Sequence, residues 1–224
     1  MKMKKVLALL LAVVLLVGCS VMGTLAYLSS QTQVAKNTFT VGDVVIYLDE
    51  KDVDNSETGG DALLNDGRDW GNEYHLTPAC KHEKDPTVWV KEGSEKSYIR
   101  MMVTVTGLDQ LKRALPEYVD ATTDVFGLHN VVDGWEDDVW EFVGVVGNVY
   151  EFRYYTTYTA DEDNGDNVDD YEDLEPLFTH IKLPGEGLTN AELAMLEGVE
   201  IDVVAHAIQA EGFNGDADAA WDAF

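Results

Sequence analysis

Two histidines and a cysteine lie close together in the sequence and have side chains that bind zinc. His75 precedes Cys80 by five positions, and His82 follows two positions later. Structural zinc sites use four such ligands at regular spacing, and no fourth ligand is evident. The metalloprotease pattern His-Glu-x-x-His is also absent, because Pro86 would interrupt the helix that this pattern needs. We therefore predict a surface turn at these residues and no metal site.

Two acidic segments carry the oxygen ligands that calcium prefers. The first, residues 49–70, has Gly59 where a calcium loop places its sixth residue, but Asn65 stands where the pattern needs glutamate. The second, residues 161–173, has Gly165 one position too early. We predict solvated loops for both segments, and the second is the better candidate for binding a divalent cation.

The sequence contains no set of side chains typical of an active site. His129, His180 and His206 have no companion motif, and carboxylates are too abundant for an acid pair to be argued from their number. Aromatic residues at alternate positions could stack on a carbohydrate, but such spacing is typical of a core. These aromatic residues are Trp135, Trp140, Tyr150, Phe152 and Tyr154. We predict that the chain is not an enzyme and has no catalytic residues and no cofactor.

The chain is strongly acidic. Its 224 residues include 42 acidic and 15 basic residues, which gives a formal net charge of −27. A surface of this charge repels nucleic-acid phosphates and anionic lipids, and it favours cations or basic partners. The hydrophobic content of 46% indicates a folded chain, and its length suits one domain with a sizeable core.

The first 26 residues have the pattern of a secretory signal peptide. Three lysines precede the apolar residues 6–17, and the small side chains of Thr24 and Ala26 fit the recognition positions of a signal peptidase. Cleavage after Ala26 gives a secreted chain that begins at Tyr27. This chain has a net charge of −30, from 12 basic and 42 acidic residues, because the signal contains three lysines and no acidic residue.

Two other interpretations of the N-terminal segment stay open. Residues 16–19, Leu-Val-Gly-Cys, resemble a lipobox, in which Cys19 is lipidated and becomes the mature N-terminus. Residues 6–27, if uncleaved, are long enough to span a bilayer. Cleavage after Ala26 removes Cys19 and leaves Cys80 as the only cysteine, so no disulfide is expected.

Beyond the signal segment, the hydrophobic pattern indicates an all-β protein. Residues 27–40 are predicted to be flexible, and residues 41–224 to be one domain with an acidic insertion at residues 49–73. Gly147-Asn148 fits the tight turn of a β-hairpin. Strands are predicted at residues 44–48, 99–106, 150–158, 177–183 and 199–207, and helices at residues 110–115, 190–197 and 216–221. This pattern favours a jelly-roll-like antiparallel sandwich with two or three short helices in the connections.

Short motifs along most of the chain resemble the TasA/camelysin family of exported Gram-positive proteins. They are Gly-Thr-Leu-Ala-Tyr-Leu-Ser at 23–29, Asn-Thr-Phe-Thr-Val-Gly at 37–42, Lys-Asp-Pro-Thr-Val at 84–88, Gly-Ser-Glu at 93–95, Tyr-Ile-Arg at 98–100 and Ala-Ile-Gln-Ala-Glu-Gly-Phe at 207–213. The resemblance implies export through the signal peptidase SipW and jelly-roll subunits that form the fibres of a biofilm matrix. It also supports cleavage between Ala26 and Tyr27. The insertion at residues 49–73 and the acidic loop at residues 161–173 depart from the motifs.

We therefore expect a secreted structural protein of the extracellular matrix or cell surface that assembles into fibres. Residues 27–40 are the candidate donor strand, which would pair with an open sheet edge of the next subunit. The expected partners are copies of the chain itself, other matrix proteins and divalent cations. Nucleic acid is not expected, and contact with a membrane is expected only through the signal segment or Cys19. Two alternatives are a camelysin-like secreted metalloprotease and a lipid-anchored surface binding module.

Overall fold

The fold is known from a computed structural model that describes residues 43–54, 67–160, 170–186 and 188–224. All of these residues belong to one unit, Gly42–Phe224. The predicted signal peptide, Cys19, the cleavage site at Ala26 and Tyr27, and the candidate donor strand at residues 27–40 lie outside the described residues.

The described residues form mainly β-strands, joined by short helices. The strands are β1 (Ile46–Lys51), β2 (Arg68–Asp69), β3 (Lys81–Glu83), β4 (Thr87–Lys91), β5 (Ser97–Thr106), β6 (Val132–Asp133), β7 (Trp140–Val146), β8 (Val149–Tyr154), β9 (Tyr171–Asp173), β10 (His180–Lys182) and β11 (Glu200–Gln209). The α-helices are α1 (Leu108–Ala114), α2 (Asn190–Met195) and α3 (Ala217–Ala223), and single 3₁₀ turns lie at Pro116–Tyr118 and Leu128–Asn130. The predicted all-β class is confirmed.

Within these ranges the strands form three antiparallel sheets. Their strand orders are β2-β1-β4-β9, β3-β10-β6 and β11-β5-β8-β7. One apolar core includes residues from all three sheets, with Val88 of β4, Val132 of β6 and Met101 of β5 all buried. The largest fully buried side chains are Trp140 and Tyr150. Most of this pairing joins strands that are distant in sequence.

Strand β5 is the centre of the largest sheet. Its alternate residues Ile99, Met101, Val103 and Val105 are buried, as their spacing predicts. On the opposite face, α3 packs against the sheet through Trp221, which belongs to a second small apolar cluster. The two faces of this sheet are therefore covered by different parts of the chain.

Several local predictions are confirmed. Gly147 has a φ of 66° in the two-residue turn between β7 and β8, a conformation that glycine adopts without a steric penalty. Thr189 and Glu192 form a capping box at the start of α2. Asp216 caps α3 by accepting a hydrogen bond from the backbone N–H of Ala219.

The prediction of an acidic insertion at residues 49–73 is wrong in part. The strand predicted at residues 44–48 lies instead at Ile46–Lys51, so Asp49 and Glu50 are buried strand residues, and Asp69 of β2 is buried too. Positive groups from other segments pair with Asp49 and Glu50, and this pairing compensates for the burial of these two carboxylates. Residues 55–66 lie outside the described residues.

Further boundaries differ from the prediction, and the strand predicted at residues 150–158 ends at Tyr154. The strand predicted at residues 177–183 is limited to His180–Lys182. The acidic loop at residues 161–173 ends in a strand, because Tyr171–Asp173 pairs with β4. Residues 161–169, which include Gly165, lie outside the described residues.

Candidate functional site

The candidate zinc ligands do not form a metal site in the described part of the chain. His75 is exposed, whereas Cys80 and His82 are half-buried. The ring of His82 lies against that of Tyr74, with 5.7 Å between the ring centroids. No group of three or more His, Cys, Asp or Glu side chains among the described residues is placed to hold a metal ion.

The other histidines lie apart from one another in the fold. His129 is exposed in the 3₁₀ turn Leu128–Asn130, and His180 is in β10. His206 of β11 accepts a hydrogen bond at Nδ1 from Arg100 Nε at 3.3 Å. Burial and then the charge of Arg100 lower the pKa of His206 below its ordinary value.

Among the described residues, β11 is the longest strand that lies at the end of a sheet. All ten residues of β11 pair with β5, from Glu200 opposite Thr106 to Gln209 opposite Ser97. Among the described residues, β11 pairs with no other strand, so it ends the sheet. A strand with one unpaired edge of this length presents a row of backbone groups to which another strand can bond.

The ladder between β5 and β11 determines which backbone groups face outward. Ala210, one residue beyond β11, donates its N–H to the carbonyl oxygen of Lys96 at 2.7 Å. In an antiparallel ladder, residues alternate between those that bond to the neighbour and those that point away from it. The even-numbered residues of β11 therefore bond to β5. The N–H and C=O groups of the five odd-numbered residues point to the open edge, and these residues are Ile201, Val203, Ala205, Ala207 and Gln209.

A cleft of about 1120 Å³ lies beside this edge. Residues 199–204 and residues 48–50 of β1 both line it, with Leu193 and Leu196 contributing apolar surface from the region of α2. Pockets for small molecules are typically about 300–1,000 Å³. The volume of this cleft is therefore slightly above that range.

A first buried charge cluster, the Arg68 cluster, holds β1 and β2 against β4. It consists of Asp49, Arg68, Asp85, Thr87 and Trp89. Arg68 donates from Nε to Asp49 Oδ1 at 2.5 Å and from Nη1 to Asp85 Oδ2 at 3.1 Å. Trp89 Nε1 also donates to Asp49 Oδ1, at 2.8 Å. Burial of the Asp49 carboxylate is compensated by these charged and polar donors.

A second cluster, the Glu50 cluster, lies on the wall of the cleft. It consists of Glu50, Asn72, Tyr74 and Lys84. Glu50 accepts from Lys84 Nζ at 2.5 Å through Oε2 and from Asn72 Nδ2 at 3.1 Å through Oε1. The Lys84 and Glu50 side chains are only 8% and 5% exposed. Burial, with the negative charge of Glu50 second, raises the pKa of Tyr74, whose ring centroid lies 5.7 Å from Lys84 Nζ.

The aromatic residues of β7 and β8 belong mainly to the core. Trp140, Tyr150 and Phe152 are buried, and the rings of Trp135 and Phe152 meet edge to face with 5.5 Å between their centroids. A pocket of about 510 Å³ opens beside them, where Phe142 is 40% exposed. The prediction that these aromatic residues are mainly core is confirmed.

Sequence reasoning missed both charge clusters and the position of the open edge. The available signal for the clusters was the length of β1. A typical strand of five or six residues that starts at Ile46 includes Asp49 and Glu50, although a position in a strand does not by itself bury a side chain. Because this acidic chain has few basic residues, Arg68 and Lys84 were among a small number of possible partners for a buried carboxylate.

Comparison with protein-family models, with curated proteins and with solved structures finds no match. Within the described residues, no helix combines the length and apolar character needed to cross a bilayer.

Proposed function

We propose that this chain is a secreted structural protein, a jelly-roll-like subunit that assembles into fibres by strand addition at β11. The observation that carries the proposal is the ten-residue edge, which bonds to β5 on one side and, among the described residues, to no strand on the other. Strand addition uses backbone hydrogen bonds and needs no particular side chains. A head-to-tail contact of this kind does not close on itself and so produces a filament.

The proposed occupant of the edge is residues 27–40 of a second copy. Ten residues of β11 extend over about 33 Å, and fourteen residues of extended chain reach about 46 Å, at roughly 3.3 Å per residue. Residues 27–40 contain no acidic residue and one basic residue, Lys36. A strand of this composition adds no negative charge beside Glu200 and Asp202, the acidic residues at the start of β11.

Charge on the whole subunit opposes assembly. A chain that starts at Tyr27 has a net charge of −30, from 12 basic and 42 acidic residues, and two such subunits repel each other at low ionic strength. Divalent cations or acid reduce this repulsion. We expect purified chains that start at Tyr27 to elongate when either is added, as measured by light scattering. Subunits that stay monomeric across these conditions would contradict the proposal.

A substitution at Val203 tests the edge itself. Val203→Pro removes an outward N–H and leaves the bonds to β5 in place, because Val203 is an odd-numbered residue. Val203→Ala is the matched control, since it also shortens the apolar side chain but keeps the N–H. We expect the proline variant to elongate far more slowly than the alanine variant. Equal elongation rates would refute assembly at this edge.

Two measurements identify the donor. A chain without residues 27–40 should remain monomeric, and a synthetic peptide of residues 27–40 should stop the growth of intact chains by occupying the edge. Growth of the truncated chain would show that another segment makes the contact.

Mass spectrometry of the exported protein gives its N-terminus: Tyr27 indicates a free subunit, and lipidated Cys19 indicates an anchored one.

A further inference from the structure

We propose that Lys84 and Asn72 become joined by an intramolecular isopeptide bond, with Glu50 moving the protons. The observation is the arrangement of the Glu50 cluster, in which one buried carboxylate holds an amine on one oxygen and a carboxamide on the other. Lys84 Nζ lies 2.5 Å from Glu50 Oε2, and Asn72 Nδ2 lies 3.1 Å from Glu50 Oε1. An amine, a carboxamide and a shared carboxylate are the three groups that amide exchange requires.

The carboxamide of Asn72 is held in one orientation. Its Nδ2 also donates to the carbonyl oxygen of Lys51 at 2.8 Å, and its Oδ1 accepts from the backbone N–H of Val53 at 2.7 Å. The N–H of Val53 therefore points at the oxygen on which negative charge develops when an amine attacks the carboxamide carbon. Such a donor stabilises the tetrahedral intermediate.

The reaction requires Lys84 as a neutral amine, and Glu50 is placed to take its proton. The side chains of Lys84 and Glu50 are almost fully buried, and the Tyr74 ring lies beside the amine. Removing an ion pair from water costs the hydration of both charges. Transfer of one proton from Lys84 Nζ to Glu50 Oε2 replaces the two charges with a neutral amine and a neutral acid. The amine is then the nucleophile.

The reaction balances without an oxidant, reductant or other co-reactant. Lys84 Nζ attacks Cγ of Asn72 and forms the new C–N bond, while Glu50 returns the proton to Nδ2 of Asn72. The bond between Cγ and Nδ2 then breaks. The old amide nitrogen leaves as ammonia, which takes up the last proton lost by Nζ and becomes ammonium. Glu50 ends as a carboxylate, and the product is a secondary amide between the two side chains.

The bond would close a covalent ring between the segment after β2 and the segment before β4. Lys84 follows β3 directly, and Asn72 follows β2 by three residues. The ring would hold β1 in place, because Glu50 and the Lys51 carbonyl contact the same carboxamide. This inference does not depend on the proposed function, since the bond forms within one subunit.

Tryptic digestion of the denatured full chain followed by tandem mass spectrometry decides the inference. Trypsin cleaves after Arg68, Lys81 and Lys91, but it does not cleave after a lysine whose amine is acylated. We expect one branched product, residues 69–81 joined to residues 82–91, with a mass one ammonia below the sum of the two peptides. Unlinked peptides 69–81, 82–84 and 85–91 would overturn the inference, even if Asn72 had lost ammonia by cyclising on its own backbone.

Three variants test the assigned roles. Lys84→Arg keeps the positive charge but removes the nucleophile, Asn72→Ala removes the acceptor, and Glu50→Gln removes the group that moves protons. We expect the intact mass of each folded variant to equal the value calculated from its sequence. Lys51→Arg is the matched control, since its side chain pairs with Glu83 on the surface; it should keep the loss of one ammonia. A branched peptide in Glu50→Gln at the wild-type level would refute the role of Glu50.

Discussion

The substitution Arg68→Met should destabilise the fold far more than the loss of a surface ion pair. Arg68 is the positive member of the Arg68 cluster, where its side chain is 14% exposed and that of Asp49 is fully buried. Methionine keeps most of the aliphatic length of arginine and removes the guanidinium. The variant therefore isolates the loss of the charge and its hydrogen bonds from the loss of packing.

The expected magnitude follows from burial. Removing one partner of a buried ion pair leaves the other charge uncompensated and typically costs about 3–5 kcal/mol. We expect a loss of about 3 kcal/mol in the free energy of unfolding, because Arg68 also keeps some contact with solvent. For comparison, the Lys51 and Glu83 side chains are 50% and 48% exposed, so Lys51→Met should cost much less than Arg68→Met.

Urea denaturation is the suitable assay, because urea carries no charge and does not screen ion pairs. A lower midpoint at an unchanged slope reports a loss of stability alone. A loss in Arg68→Met within about 1 kcal/mol of that in Lys51→Met would refute the reasoning, since it would mean that the Arg68 cluster contributes no more than a surface pair.

Two other substitutions give measurable outcomes. Tyr150→Phe removes the hydroxyl that donates to the buried carbonyl oxygen of Phe126 at 2.9 Å; it should cost about 1–3 kcal/mol in urea. Tyr155→Phe, at an exposed ring, should be nearly neutral, and equal costs would contradict this account. His206 has a lowered pKa in the folded chain, so the unfolded chain binds the proton first as the pH falls. The contribution of neutral His206 to the free energy of unfolding is complete above the unfolded pKa of about 6.5. It is lost as the pH falls towards the pKa of His206 in the folded chain. His206→Gln should therefore flatten the dependence of stability on pH just below 6.5, and an unchanged profile would contradict the assignment.

Features set by neighbouring residues were predictable from the sequence. The turn at Gly147, the capping box at Thr189 and the alternate burial along β5 all depend on residues within a few positions of one another. Their physical causes are a backbone conformation, two local hydrogen bonds and a repeat of two residues. None of them needs the rest of the chain.

The buried acidic residues could not be placed in the same way. Asp49 and Glu50 look like the start of a solvated loop, because carboxylates are normally found at the surface. Their partners are distant in sequence: Arg68 is 19 residues from Asp49, and Lys84 is 34 residues from Glu50. Composition and periodicity describe single segments, so they do not reveal which charges meet inside.

The open edge was also beyond sequence reasoning. The alternation of Ile201, Val203 and Ala205 predicts a strand with one buried face, and β11 has that face. This alternation does not predict that β5 lies on one side of β11, or that no described strand lies on the other. The order of strands in a sheet comes from long-range pairing, which a repeat of two residues does not encode.

Substitutions at alternate residues of β11 have different consequences. Residues with outward-facing backbone groups, such as Val203 and Ala205, have side chains that pack on the core, so changes there affect the fold and the edge together. Glu200, Asp202 and Val204 have exposed side chains, and their backbone groups bond to β5. Natural selection, or a protein engineer, can therefore alter the charge that an approaching chain encounters by changing these three positions, with little effect on the stability of the subunit.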